Sequence, residues 1–221
     1  MNPALIALRQ ALCENNAAQI TCYGGENIPD LVKTTAYARL CCQYAPARRG
    51  RLWMRLHPWR VTAISGRGAP RVEVILSEAA LYRLAAFAPG SDIVTGQVRH
   101  LIYLTGLTHV SLRIYGFEHL LPPPSGQMTA VTTRNGYTRT FVGDILSPFG
   151  VMLLAGDQAG DVTAEINRIA TTCHDHDHSR DIVMEVLAHR STLCSAQHCR
   201  FCGGQNPGPS ARTANAARRR T

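Results

Sequence analysis

The chain has 221 residues, of which 45% are hydrophobic and 17% charged, proportions that fold around a core and do not sustain a disordered chain. Its net charge of +8 rests almost wholly on arginine, because Lys33 is the only lysine; guanidinium suits phosphate, carboxylate or acidic-protein partners, although a GC-rich coding sequence gives the same bias. No apolar run is longer than Val151 to Ala155, far short of the roughly 20 residues that cross a bilayer, which excludes a helical membrane span.

Residues Met1 to Cys13 lack the basic start and continuous apolar centre of a secretion signal, so an intracellular protein with reduced cysteines is expected. In chain order, Leu5, Ile6, Leu8 and Leu12 predict a helix over Pro3–Cys13 with Arg9 and Gln10 on its wet side, and Gly24-Gly25 then breaks the chain. Leu31, Val32, Tyr37 and Leu40 predict a second helix between Pro29 and Cys42. Ala45–Gly50 reads as an exposed turn carrying Arg48 and Arg49, with Arg51 beside it. From Arg51 to Ser65, Leu52, Met54 and Leu56 alternate with Trp53, Arg55 and His57, a strand-like pattern, and Gly66–Pro70 reads as a hairpin connection.

Arg71–Ser77 is a strand by alternation, and Glu78–Phe87 has helical spacing ended by Pro89 and Gly90. Val98–Thr105 and Thr108–Tyr115 read as strands flanking Gly106. Pro122–Gly126 cannot continue a ladder and marks a surface loop or sub-boundary. Asn135-Gly136, between Met128–Arg134 and Tyr137–Val142, signals a hairpin with a type I′ turn. Asp161–Ala170 and Arg180–His189 are helical by spacing, and Gly203–Thr221 has no apolar residue larger than alanine. The expected architecture is α+β: a central, mostly antiparallel sheet with N-terminal and C-terminal helices. It forms one domain over residues 1–202, with a candidate sub-boundary at 122–126 and a disordered basic tail over 203–221.

The strongest chemical constellation is Cys194-x3-His198-Cys199-x2-Cys202-Gly203. Two thiolates two residues apart can reach one ion from a tight turn, and a following glycine lets backbone amides face the sulfurs. Cys173, His174, His176 and His178 lie one helix upstream. The candidate ligands of a structural zinc are therefore Cys173, His176, Cys194, His198, Cys199 and Cys202. Only one CxxC pair is present, so free cysteines on an exposed segment are the alternative. A catalytic zinc would draw on Asp175, Asp177 and Glu185, and a Cys–His nucleophile on Cys41 or Cys42 with His57; no family signature accompanies either, and no phosphate-binding loop is present. Arg48, Arg49 and Arg51, and the terminal Arg218, Arg219 and Arg220, are candidate contacts to phosphate, RNA or an import receptor, with Trp53 and Trp59 near the first group.

The run VEVILSEAALYRLAAF, then QVRHLIYLTGLTHVSLRIYG and the proline-rich PPPSG, resembles the middle of the small nuclear accessory protein of alphaherpesviruses known as the UL-four family. The resemblance covers residues 1 to 125 and has no signature motif. It implies a late-expressed, non-enzymatic protein of the host nucleus that works through viral or host nuclear partners, with no assigned active-site residues and no membrane association. The alternative is a nucleic-acid-binding protein that uses the cysteine knuckle and arginine tail.

Overall fold

The computed structural model describes residues 3–43, 47–66, 68–86, 91–119, 126–143 and 151–195. Helix α1 (Pro3–Asn15) leads into β1 (Ala17–Tyr23), and a 3-10 turn at Asp30–Val32 precedes α2 (Thr35–Cys42) and the long α3 (Ala47–Ser65). Strand β2 (Arg71–Ser77) passes directly into α4 (Glu78–Ala86), followed by α5 (Asp92–Thr105) and β3 (Val110–Tyr115). The chain then adds β4 (Gln127–Thr133), β5 (Thr138–Gly143), β6 (Val151–Leu154), α6 (Gly156–Thr172) and α7 (His176–Ser195).

The α+β class holds, but the sheet is mixed. Its order is β3-β2-β1-β4-β5-β6, with β1, β2 and β3 parallel and the β1–β4, β4–β5 and β5–β6 pairs antiparallel. Two segments read as strands are helices that make the parallel half possible, since parallel neighbours need a crossover. Arg51–Ser65 belongs to α3, which lies between β1 and β2, and Val98–Thr105 belongs to α5, between β2 and β3. Gly66–Pro70 accordingly joins a helix to a strand, and the expected turn at Ala45–Gly50 gives way to helix from Ala47 onward. The strands on either side of the 122–126 sub-boundary lie in one sheet, because β1 pairs both β2 and β4.

Alternation sorts the two faces of the sheet. Val72, Val74 and Leu76 of β2, with Val110, Leu112 and Ile114 of β3, join a core built with α1, α3, α4, α5 and α7. Tyr23, Ile75, Tyr115, Met128 and Ala130 face the other way, onto Ile166, Ile169 and Ala170 of α6. The free edge of β3 is closed by the start of α7: His176 Nδ1 accepts from Leu112 N at 3.2 Å, and Ser179 Oγ accepts from Ile114 N at 2.9 Å. Side chains thus occupy donors that an open edge would offer to another strand.

The hairpin is present where Asn135-Gly136 places it, but its loop is one residue longer than a two-residue type I′ connection. Gly136 N donates to Thr133 O at 2.9 Å and Thr133 N donates to Tyr137 O at 2.9 Å. Gly136 has φ +85°, so a β-turn is followed by a left-handed glycine, the three-residue hairpin solution. At the carboxyl end of β1, Gly25 has φ +58°, and a Cβ there would stand 2.7 Å from Gly126 O. Left-handed strain and the backbone clash add together, so Gly25→Ala should lower stability by about 2–3 kcal/mol in urea unfolding. Gly136→Ala meets no neighbour within 4 Å and should cost only about 1 kcal/mol, the conformational part alone.

Candidate interaction surface

Helix α3 carries Arg48, Arg49, Arg51, Arg55 and Arg60 and no acidic residue in its 19 positions. Its inward face runs Trp53, Leu56, His57, Arg60 and Ile64, the helical spacing i, i+3, i+4, i+7 and i+11. Arg60 is the polar centre of that face. Its Nε lies 2.6 Å from Glu14 Oε2 and its Nη2 2.7 Å from Glu14 Oε1, a bidentate fork, and the Glu14 side chain is 0% exposed. Gln10 Nε2 donates to Glu14 Oε1 at 3.0 Å, and Arg60 Nη1 reaches Asp30 Oδ2 at 3.5 Å. Asp30 Oδ1 also holds Lys33 Nζ at 2.6 Å, and that ammonium lies 5.4 Å from the centre of the Trp53 ring. Two cations and two carboxylates therefore close on one another inside the protein and tie α1, the 3-10 turn and α3 together. Burial works against the Arg60 charge, but Glu14 and then Asp30 outweigh it and raise its pKa.

Anchoring one face fixes what the other presents. Arg51, Arg55 and Trp59, at i, i+4 and i+8, stand in solvent, with Trp59 52% exposed. Among the described residues neither Arg51 nor Arg55 is paired with a carboxylate. Trp53 is half-buried against Lys33, so the two tryptophans part company, one inside and one out. Arg51 stands out in the sequence as part of a basic cluster, whereas Arg55 falls in the segment with strand-like alternation; spacing in steps of four joins it to Arg51 and Trp59. Arg48 and Arg49 fall in the first turn of α3, with side chains outside the described ones, and Arg218, Arg219 and Arg220 lie outside the described residues.

Two of the predicted zinc ligands, Cys173 and His176, are engaged elsewhere. Cys173 is buried, its thiol donates to Ile169 O at 3.1 Å, and burial pushes its pKa up to about 12, which keeps it a thiol. His176 uses both ring nitrogens: Nδ1 accepts from Leu112 N, and Nε2 stands 3.0 Å from Thr105 O, so no lone pair remains for an ion. Cys194 lies in α7 with its side chain outside the described ones, and His198, Cys199 and Cys202 lie outside the described residues. His174 Nε2 meets Glu118 Oε1 at 3.1 Å, and the His174 and His178 rings are 4.4 Å apart. Among the described residues no group of three or more His, Cys, Asp or Glu side chains has the geometry to hold a metal.

Removing the Glu14 charge leaves Arg60 buried without its main partner, so Glu14→Gln should cost about 3–5 kcal/mol in chemical denaturation. The double replacement Glu14→Leu with Arg60→Met should recover much of that loss, because an apolar pair needs no compensating charge. A second expectation concerns acid. Burial lowers the His57 and His100 pKa values from the ordinary 6.5, so the unfolded chain takes up these protons first. Stability is then full above pH 6.5 and falls as the pH drops from there towards the depressed folded values. Thermal melts between pH 7.5 and 5 should show that decline, and His57→Phe should make it shallower.

No curated protein and no solved structure matches this chain. One family does, described as a domain of unknown function, DUF5753, and its match covers residues 9–185, from α1 to the middle of α7. That span contains the whole sheet, the buried ion quartet and the exposed face of α3. The chain belongs to the family of the domain of unknown function DUF5753.

Proposed function

We propose that this protein is a non-catalytic interaction module that docks an acidic partner protein on the outward face of α3. The observation that carries the reading is the stripe of Arg51, Arg55 and Trp59 on a helix without acidic residues. Arginine and tryptophan are the residue types that dominate protein interfaces, the first through forked hydrogen bonds to carboxylates and the second through buried area. The ion quartet behind α3 holds the stripe on a rigid element, so its guanidinium groups need little ordering when a partner arrives. The resemblance to the UL-four family would make that partner a nuclear protein; the reading rests on α3 and is independent of it.

The test is a pulldown from nuclease-treated extract with the full chain and with Arg51→Glu/Arg55→Glu and Trp59→Ala variants, each checked for an unchanged melting curve. A partner retained by the native chain should be released by salt and lost on charge reversal. Trp59→Ala should weaken it by about 2 kcal/mol, as for a hot-spot residue. An unchanged set of partners with the charge-reversed variant would refute the proposal. The same exposed tryptophan and guanidinium groups favour a second reading, single-stranded nucleic acid, because an exposed indole can stack on a base. That reading requires binding of a labelled oligonucleotide whose salt slope falls by about 0.7 for each phosphate contact removed.

A further inference from the structure

Behind the ion quartet, His57 Nε2 is closed off from solvent and has no hydrogen-bond partner among the described residues, and the residue as a whole is 5% exposed. It borders a cavity of about 20 Å³ that Gln10, Asp30, Lys33 and Arg60 also line, and whose remaining wall is apolar, with Ala38 and Trp53. Voids that stay dry are lined by apolar groups, whereas a polar one of this size takes up about one water-sized group. The other buried side-chain nitrogen without a hydrogen bond among the described residues, His119 Nε2, already has Glu118 Oε1 3.5 Å away, so His57 is the group that calls for something from outside.

The charges around it restrict what that can be. Arg60 is matched by Glu14, and Lys33 by Asp30, so the cavity has no net charge to spend on an ion. A carboxylate or an ammonium would enter unbalanced and would compete with pairs already formed. A hydroxyl oxygen brings no charge and can both donate and accept, so it satisfies His57 Nε2 in either tautomer. The apolar wall beside Trp53 and Ala38 suits a methyl group on that oxygen, and the volume leaves space for nothing larger.

We propose that the cavity bounded by α1, α2 and α3 is a binding site for one neutral hydroxyl group that hydrogen-bonds His57 Nε2, supplied by water or by a one-carbon alcohol. The experiment uses the full chain with ¹⁵N-labelled histidine side chains, methanol as the probe and fluoromethane as its counterpart of like size without the hydroxyl. Methanol should move the His57 Nε2 resonance saturably and bind about tenfold or more tightly than fluoromethane, a difference of about 1.4 kcal/mol. His57→Phe should abolish that preference, and His57→Gln, which keeps a donor and an acceptor, should retain it. A resonance that ignores the alcohol but cross-relaxes with a long-lived water assigns the hydroxyl to water. Equal binding of the two probes, or no response to either alcohol or water, overturns the proposal. The α3 stripe plays no part in it: Arg51→Glu/Arg55→Glu should leave the His57 response unchanged.

Discussion

The forked pairing of Arg60 with Glu14 is the constraint on which the layout of the α1–α3 side depends. It is desolvated, so each partner is tolerable only while the other is present. It also joins elements far apart in sequence, the end of α1 and the second half of α3, and draws in the 3-10 turn through Asp30. A purely apolar contact in the same place would allow α3 to rotate about its axis with little penalty. A bidentate guanidinium–carboxylate pair does not, because its two hydrogen bonds hold only in one orientation. The rotation of α3, and with it the set of side chains that meets solvent, follows from that one pair.

The same polarity explains where sequence reasoning succeeded and failed. Strands β2 and β3, helix α4, the β4–β5 hairpin and the two last helices are legible, since their buried positions are mostly apolar and their periodicity is plain. The failures share a cause: polar side chains occupy core-facing positions. In α1 the helix was foreseen but its face was not, because Gln10 and Glu14 are buried while Leu5 and Leu12 are exposed. In α3, His57 and Arg60 complete the inward stripe, and counting them as outward leaves only the accidental alternation of Leu52, Met54 and Leu56. In α5 the buried Gln97 accepts from Thr34 N and donates to Val32 O, so the helical period Val94, Gln97, Val98, Leu101 contains an amide that hydropathy assigns to solvent. Strand β1 alternates Gln19 and Thr21 with Ile20 and Cys22, a short pattern in which the polar Thr21 is itself buried.

Two of the candidate metal residues, Cys173 and His176, show the converse. Both lie one helix upstream of the cysteine knuckle, where a remaining ligand is expected, yet His176 and Ser179 act as plugs for the edge of β3, and Cys173 packs with α6. Spacing in sequence identifies side chains able to coordinate; it does not reveal that a backbone donor on a sheet edge has claimed the same lone pair. Arg51 was visible as part of a cluster, whereas its partnership with Arg55 and Trp59 exists only once the segment is known to be helical.

Strand β1 lies at the seam of the sheet, parallel to β2 on one side and antiparallel to β4 on the other. Its neighbours are encoded far downstream: Gln19 meets Arg71 and Thr132, loops of roughly fifty and more than a hundred residues that must close before the strand is paired. During synthesis Ile20, Cys22 and Tyr23 therefore leave the ribosome long before either flank exists. The nascent chain has to shelter its most central segment the longest, and biogenesis, rather than the finished fold, is where this topology is most exposed to misassembly.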